Sequence, residues 1–193
     1  MSKSTFIAHT NLVAQARWLS PLGPITLAAT ECGLTGAWFD GQAHHPGQLL
    51  APHDRQHPCI VAACEQLEAY FGKGLTRFSL PLDLRGTPFQ GRVWKVLQTI
   101  EHGTTRSYSE IARAIGAPEA MRAVGAAVAR NPVSIIVPCH RVLGSDGKLT
   151  GYAGGLGRKQ ALLEHEAATM TSSQQSERKS HRPASRALVE SAS

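Results

Sequence analysis

The residues best suited to chemistry lie in one run, Asn131-Pro132-Val133-Ser134-Ile135-Ile136-Val137-Pro138-Cys139-His140-Arg141. A cysteine thiolate is a soft nucleophile, and cationic neighbours such as His140 and Arg141 favour the ionised form. The same residues are compatible with a small buried cysteine that only packs. Position separates the two readings. Val133 to Val137 is apolar and mostly β-branched, which predicts a fully buried strand. Pro138 has no N–H for a ladder, so the strand is expected to stop there, leaving Cys139 at its exit. Adjacent residues of an extended chain point apart, so His140 is expected to reach the sulfur through a water.

The elements that must hold this run belong to an ordinary soluble chain. Its 193 residues are 42% hydrophobic and 18% charged, enough for one domain or two small lobes with a proper core. The four cysteines show no disulfide-scaffold spacing, which favours a reducing compartment. Met1 to Thr5 opens no signal peptide, and no stretch has the length to cross a bilayer, so a cytoplasmic protein without membrane attachment is expected. Charge is uneven: residues 85–168 carry 11 Lys+Arg against 6 Asp+Glu, the first 84 only 5 against 6. A basic half fits a polyanionic partner, although a charge excess can equally be a solvated face.

Turn chemistry divides the chain. Ser20 to Pro24 is a turn, Ile25–Thr30 and Leu34–Phe39 are strand-like, and Glu31-Cys32-Gly33 joins them. Residues 41–58 read as a polar loop, whose His44, His45, His53 and His57, taken with Cys59 just beyond, match no zinc spacing. Ile60 to Phe71 fits an amphipathic helix ended by Gly72 and Gly74, and Arg77 to Leu84 reads as a strand. Nothing in this first lobe carries chemistry, so its role is support. Gly86-Thr87-Pro88 marks a boundary, and Phe89 to Ile100 recurs at helical spacing with Trp94 as core.

A docking element follows. Ser107 and Glu110 satisfy a capping box, Ile111, Ala112 and Ile115 give a short helix its apolar face, and Gly116 closes it. Pro118 is expected to open a second helix that ends at Asn131-Pro132. Two short helices on a tight turn predict a helix-turn-helix, though a plain helical hairpin looks alike. The second helix is lined with Ala and Gly125, and Arg122, Ala126 and Arg130 share one face. A slim face edged by arginines suits a DNA groove. Val142 to Thr150 reads as a hairpin about Asp146-Gly147, and Gly151 to Gly155 as a close-approach loop. On the last helix, from about Gly157 to Glu166, Lys159, Leu162, Leu163 and Glu166 share the inward stripe. A carboxylate there needs a partner, such as a histidine. From Thr169 the composition predicts disorder.

Pro138-Cys139-His140-Arg141 within its run, Ser107-Tyr108, Arg122-Ala123-Val124-Gly125, the Gly151–Gly155 loop and Leu162 to Glu166 together closely resemble the methylated-DNA–protein-cysteine S-methyltransferases. The likeness is dense over residues 86–167 and diffuse before them. It implies an α/β (α+β) fold: an N-terminal, ribonuclease H-like sheet-and-helix lobe (1–84), then a helical DNA-binding and alkyl-transfer lobe (85–168), then a disordered tail (169–193).

The resemblance also implies a reaction: stoichiometric, irreversible transfer of the alkyl group of O6-alkylguanine in double-stranded DNA to Cys139, by a monomer without cofactor or metal. O4-alkylthymine is left open as a second substrate. Cys139 would be nucleophile and acceptor, His140 and Glu166 its activators, and Asn131 the holder of the turn. Arg122 would replace the extruded guanine, Tyr108 would contact the flipped nucleotide, and Val142 and Tyr152 would line its pocket. Ser109 and Ser145 would lie near the DNA backbone. Ala117 departs from relatives that offer a side-chain hydrogen bond there, and no cysteine-rich zinc pattern of regulatory members is present. Two rivals stand beside this reading: a lesion sensor without chemistry, which the presence of Cys139 disfavours, and a cysteine hydrolase, which leaves Arg122 and the small-faced helix unexplained.

Overall fold

In the computed structural model, which describes residues 11–72 and 74–180, three strands form an antiparallel meander: β1 (Ala14–Ser20), β2 (Gly23–Thr30) and β3 (Gly33–Phe39). The register pairs Arg17 with Thr26 and Leu27 with Ala37. Every residue of β3 is buried because both faces are covered. Leu34, Ala37 and Phe39 join the main core with Ile60, Ala63, Leu67 and Tyr70 of α1 (Pro58–Gly72). On the other side, Ala28 and Trp38 pack with Leu49 of the long loop.

The strand expected over Arg77–Leu84 is absent. That segment runs beside β3 but makes one bridge, Leu34 to Leu82. Pro81 has no N–H to extend a ladder, and the Gln66 side chain takes both backbone groups of Ser79, at 2.7 and 2.9 Å. The close approach depends on Gly33, whose φ is +144° and whose Cβ would lie 2.3 Å from the Pro81 carbonyl oxygen.

The expected boundary turn is itself a helix cap. Thr87 and Gln90 form a capping box around Pro88, the first residue of α2 (Pro88–Leu97). Trp94 is core, as expected, and its Nε1 donates to the Ala127 carbonyl at 2.9 Å. The short strand β4 (Arg106–Ser107) leads into α3 (Tyr108–Ala114), where the Ser107–Glu110 capping box forms as expected. Gly116, at φ +72°, turns the chain toward α4 (Met121–Ala129). Pro118 does not open that helix. Ala117 cannot cap it, and Ala117–Ala120 closes as a separate turn through Ala120 N–H to Ala117 C=O at 2.9 Å.

The run Val133–Val137 is buried throughout, but it is not a strand. Only Val133 bridges to Ala37 of β3. The chain then coils: Val137 N–H bonds back to Val133 C=O at 3.0 Å, and Ile135 takes φ +71°. Its periodicity alone could not distinguish a strand from any other buried apolar segment. Cys139–Arg141 form a single 3-10 turn, so Cys139 and His140 are not on extended chain.

The hairpin expected over 142–150 is also absent. β5 (Val142–Leu143) pairs in parallel with β4, and the Thr150 carbonyl is taken by Lys159 Nζ at 2.6 Å. The last helix, α5 (Leu156–Ser180), runs eleven residues past Thr169, so the disorder expected from there does not begin at that point. The leader reading at Met1–Thr5 and the rest of the tail, 181–193, lie outside the described residues. Among the described residues, no helix is long and apolar enough to cross a membrane.

Candidate active site

Cys139 is 3% exposed, at the start of the 3-10 turn that packs on α5. Asn131, at the end of α4, holds it. Its Nδ2 donates to Cys139 Sγ at 3.0 Å, to Val137 C=O at 2.8 Å and to Val133 C=O at 3.3 Å, while its Oδ1 accepts from Val133 N–H at 3.1 Å. One amide thus satisfies the backbone of the coiled run and points the thiol. Burial nevertheless pushes the Cys139 thiol up to about 11, against the Asn131 hydrogen bond and the charge of Lys159. The free protein therefore carries a thiol at neutral pH.

His140 and Glu166 are both fully buried and paired, Nε2 to Oε1 at 2.8 Å. This is the partner the inward stripe on α5 calls for. Burial pushes the imidazole down against the pull of the carboxylate, so it stands neutral. With Nε2 engaged, Nδ1 is the accepting nitrogen, and it has no partner among the described residues. Burial alone would raise the Glu166 carboxyl, but the His140 bond and the Arg141 guanidinium outweigh it and hold it far below the usual range.

Sequence reasoning missed four members of this network. Arg141 was read as a cation beside the sulfur. Instead its Nε and Nη2 clamp Glu166 at 2.9–3.2 Å and its Nη1 donates to Ile100 C=O. The cation that acts on Cys139 is Lys159, wholly buried, with Nζ donating to the Val142 and Thr150 carbonyls. Its place on the inward stripe was the signal. Gly103 N–H donates to Glu166 Oε2 at 3.0 Å. Tyr70, from the lobe expected to carry no chemistry, donates its hydroxyl to Glu166 Oε1 at 2.8 Å.

Tyr108, Ser109, Met121, Arg122, Gly125, Gly144 and Ser145 line a cavity of about 340 Å³. Tyr108, Ser109, Arg122 and Ser145 are thus brought together from α3, α4 and the turn after β5. Tyr108 links the two sets. Its hydroxyl donates toward the Thr150 and Gly151 carbonyls at 3.4 and 3.3 Å, and it lies near enough to Cys139 for a thiolate there to push its pKa up. Val142, fully buried, and Tyr152 are not part of this cavity lining; Tyr152 stands against Cys139 and Ser134 instead. The loop carrying Tyr152 is strapped to the first lobe. Ala43 N–H donates to Ala153 C=O at 2.8 Å, and Arg158 reaches Gly154 C=O, Leu22 C=O and the Phe39 ring. Among the described residues, no group of three or more His, Cys, Asp or Glu side chains could hold a metal.

A sheet-and-helix lobe braced against a helix-turn-helix lobe, with a networked cysteine tied to the end of α4 through Asn131, defines a two-domain class of DNA-binding proteins. Two family models match in that order: the 6-O-methylguanine DNA methyltransferase ribonuclease-like domain over residues 18–84 and its DNA-binding domain over 88–168. The methylated-DNA–protein-cysteine methyltransferase of Mycobacterium bovis is 55% identical over 148 residues, 76% of this chain and 88% of its own. That of Methanosarcina barkeri is 50% identical, over 76% of this chain and 92% of its own. A crystal structure of Mycobacterium tuberculosis OGT in complex with DNA superposes with a TM-score of 0.75 at 51% identity, covering 81% of this chain and 94% of that one. The chain belongs to the methylated-DNA–protein-cysteine methyltransferase family.

Proposed function

We infer that this protein repairs O6-alkylguanine in duplex DNA by moving the alkyl group to Cys139, once per molecule, as a monomer in the cytoplasm. The observation that carries this is a Cys139 held by Asn131, in a network with the His140–Glu166 pair, and linked through Tyr108 to a cavity that Ser109, Arg122 and Ser145 also line.

The target atom lies inside a base stack, so the nucleotide must leave the duplex, at a cost of a few kcal/mol. Arg122, exposed on the open face of α4, fills the gap it leaves. The flipped base enters the cavity beside Tyr108, with Val142 and Tyr152 lining the deeper pocket and Ser109 and Ser145 near the phosphates. The Cys139 proton passes through a water to His140 Nδ1, and Glu166 stabilises the imidazolium, as the acid does in a triad. Sulfur bonds to the alkyl carbon as the bond from carbon to O6 breaks, and Tyr108 gives a proton to the departing guanine. The lesion is its own alkyl donor, so the reaction needs no cofactor. A thioether offers no return to the thiol, which makes the transfer stoichiometric.

Intact-protein mass after incubation with a duplex carrying one O6-methylguanine tests this. A gain of one methyl at Cys139, absent in Cys139→Ala, is expected. Tight lesion binding without mass gain would make the protein a damage sensor.

A further inference from the structure

The site contains a contact from outside the DNA-binding lobe that the reaction above leaves unused. Tyr70 lies on α1, 96 positions before its partner Glu166, and is 1% exposed. Its ring is locked by edge and tilted packing against Phe78, His102 and His165, and His165 Nε2 bonds its backbone carbonyl at 2.8 Å. The hydroxyl therefore has one orientation, and it spends its proton on Oε1, the oxygen that His140 Nε2 also uses, each at 2.8 Å. A buried tyrosine needs a partner for its hydroxyl, but an aromatic without one would fill the same space.

We propose that Tyr70 is a positioning residue for alkyl transfer: by sharing Glu166 Oε1 with His140, it weakens the carboxylate's hold on an imidazolium and keeps Nδ1 free to accept the thiol proton. This rests on the roles given above to His140 and Glu166. A donor on a carboxylate oxygen withdraws charge from it, and hydrogen bonds to ionised groups are about twice as strong as neutral ones. Arg141 and Gly103 act on the same carboxylate in the same sense. The other charged or titratable groups facing the pair are Cys139, Lys159, His102 and His165. None of these four donates to Oε1 among the described residues. The first lobe thus reaches into the reaction through one hydroxyl.

Removing that hydroxyl leaves Glu166 a tighter partner for imidazolium, so His140 protonates at higher pH. Since a protonated His140 cannot accept from a thiol, the acid limb of the transfer rate moves up. The rate of Cys139 methylation by an O6-methylguanine duplex is measured from pH 5 to 9 for the full chain and Tyr70→Phe, with His140 titrated by NMR. An upward shift of about one pH unit is expected, a roughly tenfold lower rate on the acid limb, with the alkaline plateau within about threefold. Added to Glu166→Gln, Tyr70→Phe should change nothing further. An equal slowing at every pH, or additivity with Glu166→Gln, would overturn the Tyr70 role alone. A Glu166→Gln variant as fast as wild type would instead overturn the His140–Glu166 reading on which it stands.

Discussion

The side-chain amide of Asn131 donates to the sulfur of Cys139 at 3.0 Å, across eight residues of coiled, buried chain. The same nitrogen serves the Val137 carbonyl, and the same side chain caps the Val133 N–H. Reactive sulfur and the fold of its loop are thereby held by a single group. Asn131→Ala strands the buried Val133 N–H, a loss worth about 1–3 kcal/mol, and takes one of two donors from the Val133 and Val137 carbonyls, which keep Val137 N–H and Cys139 N–H. A stability loss of about 2–4 kcal/mol in denaturant unfolding is expected. The methylation rate should fall in parallel at temperatures where the variant is still folded. Unchanged stability would show that the loop holds itself.

Acid should weaken this fold in two steps. His140 has a depressed pKa in the folded state, so the unfolded chain takes up its proton first, and stability starts to fall below about pH 6.5. Glu166 is depressed too; its contribution is fully present above the unfolded value of about 4.3 and is lost as pH falls from there toward the folded value. Unfolding free energy measured from pH 7 to 3 should show both declines, and Glu166→Gln should flatten the lower one. Arg141→Met leaves the carboxylate buried with its guanidinium partner gone, and should cost about 3–5 kcal/mol at pH 7. A variant within 1 kcal/mol of wild type would mean that Tyr70, Gly103 and His140 suffice.

What could be read in the sequence was mostly local. The Ser107–Glu110 cap is complete within four residues, so it was legible, as was the helical stripe that turns Glu166 inward. The Thr87–Gln90 cap was equally local and was overlooked because Gly86-Thr87-Pro88 also spells a turn. Val133–Val137 was legible as buried but not as coiled, because its fate is decided by Asn131 taking the carbonyls a ladder would have used. The turn between Leu143 and Thr150 was legible, but its pairing was not: Lys159, on the next helix, occupies the Thr150 carbonyl. Arg141 was seen and its direction missed, since its target lies 25 positions on. Tyr70 left no signal, being one more apolar position on an amphipathic helix.

Arg122 offers the cleanest separation of binding from chemistry. Its side chain leaves the open face of α4 at the rim of the cavity and is exposed, so Arg122→Ala should alter stability by no more than about 0.5 kcal/mol. The Asn131–Cys139 and His140–Glu166 contacts do not involve it. If Arg122 fills the space of the extruded base, its loss raises the energy of the flipped state only where there is a stack to fill. Repair of a duplex should slow about tenfold or more, the equivalent of about 1.4 kcal/mol. Repair of the same lesion in a single strand should change far less, because an unpaired strand leaves no such gap. Both rates come from quenched single-turnover reactions with the two forms of one oligonucleotide. Equal slowing on both would reduce Arg122 to a general phosphate contact, and the salt dependence of binding would then fall with it.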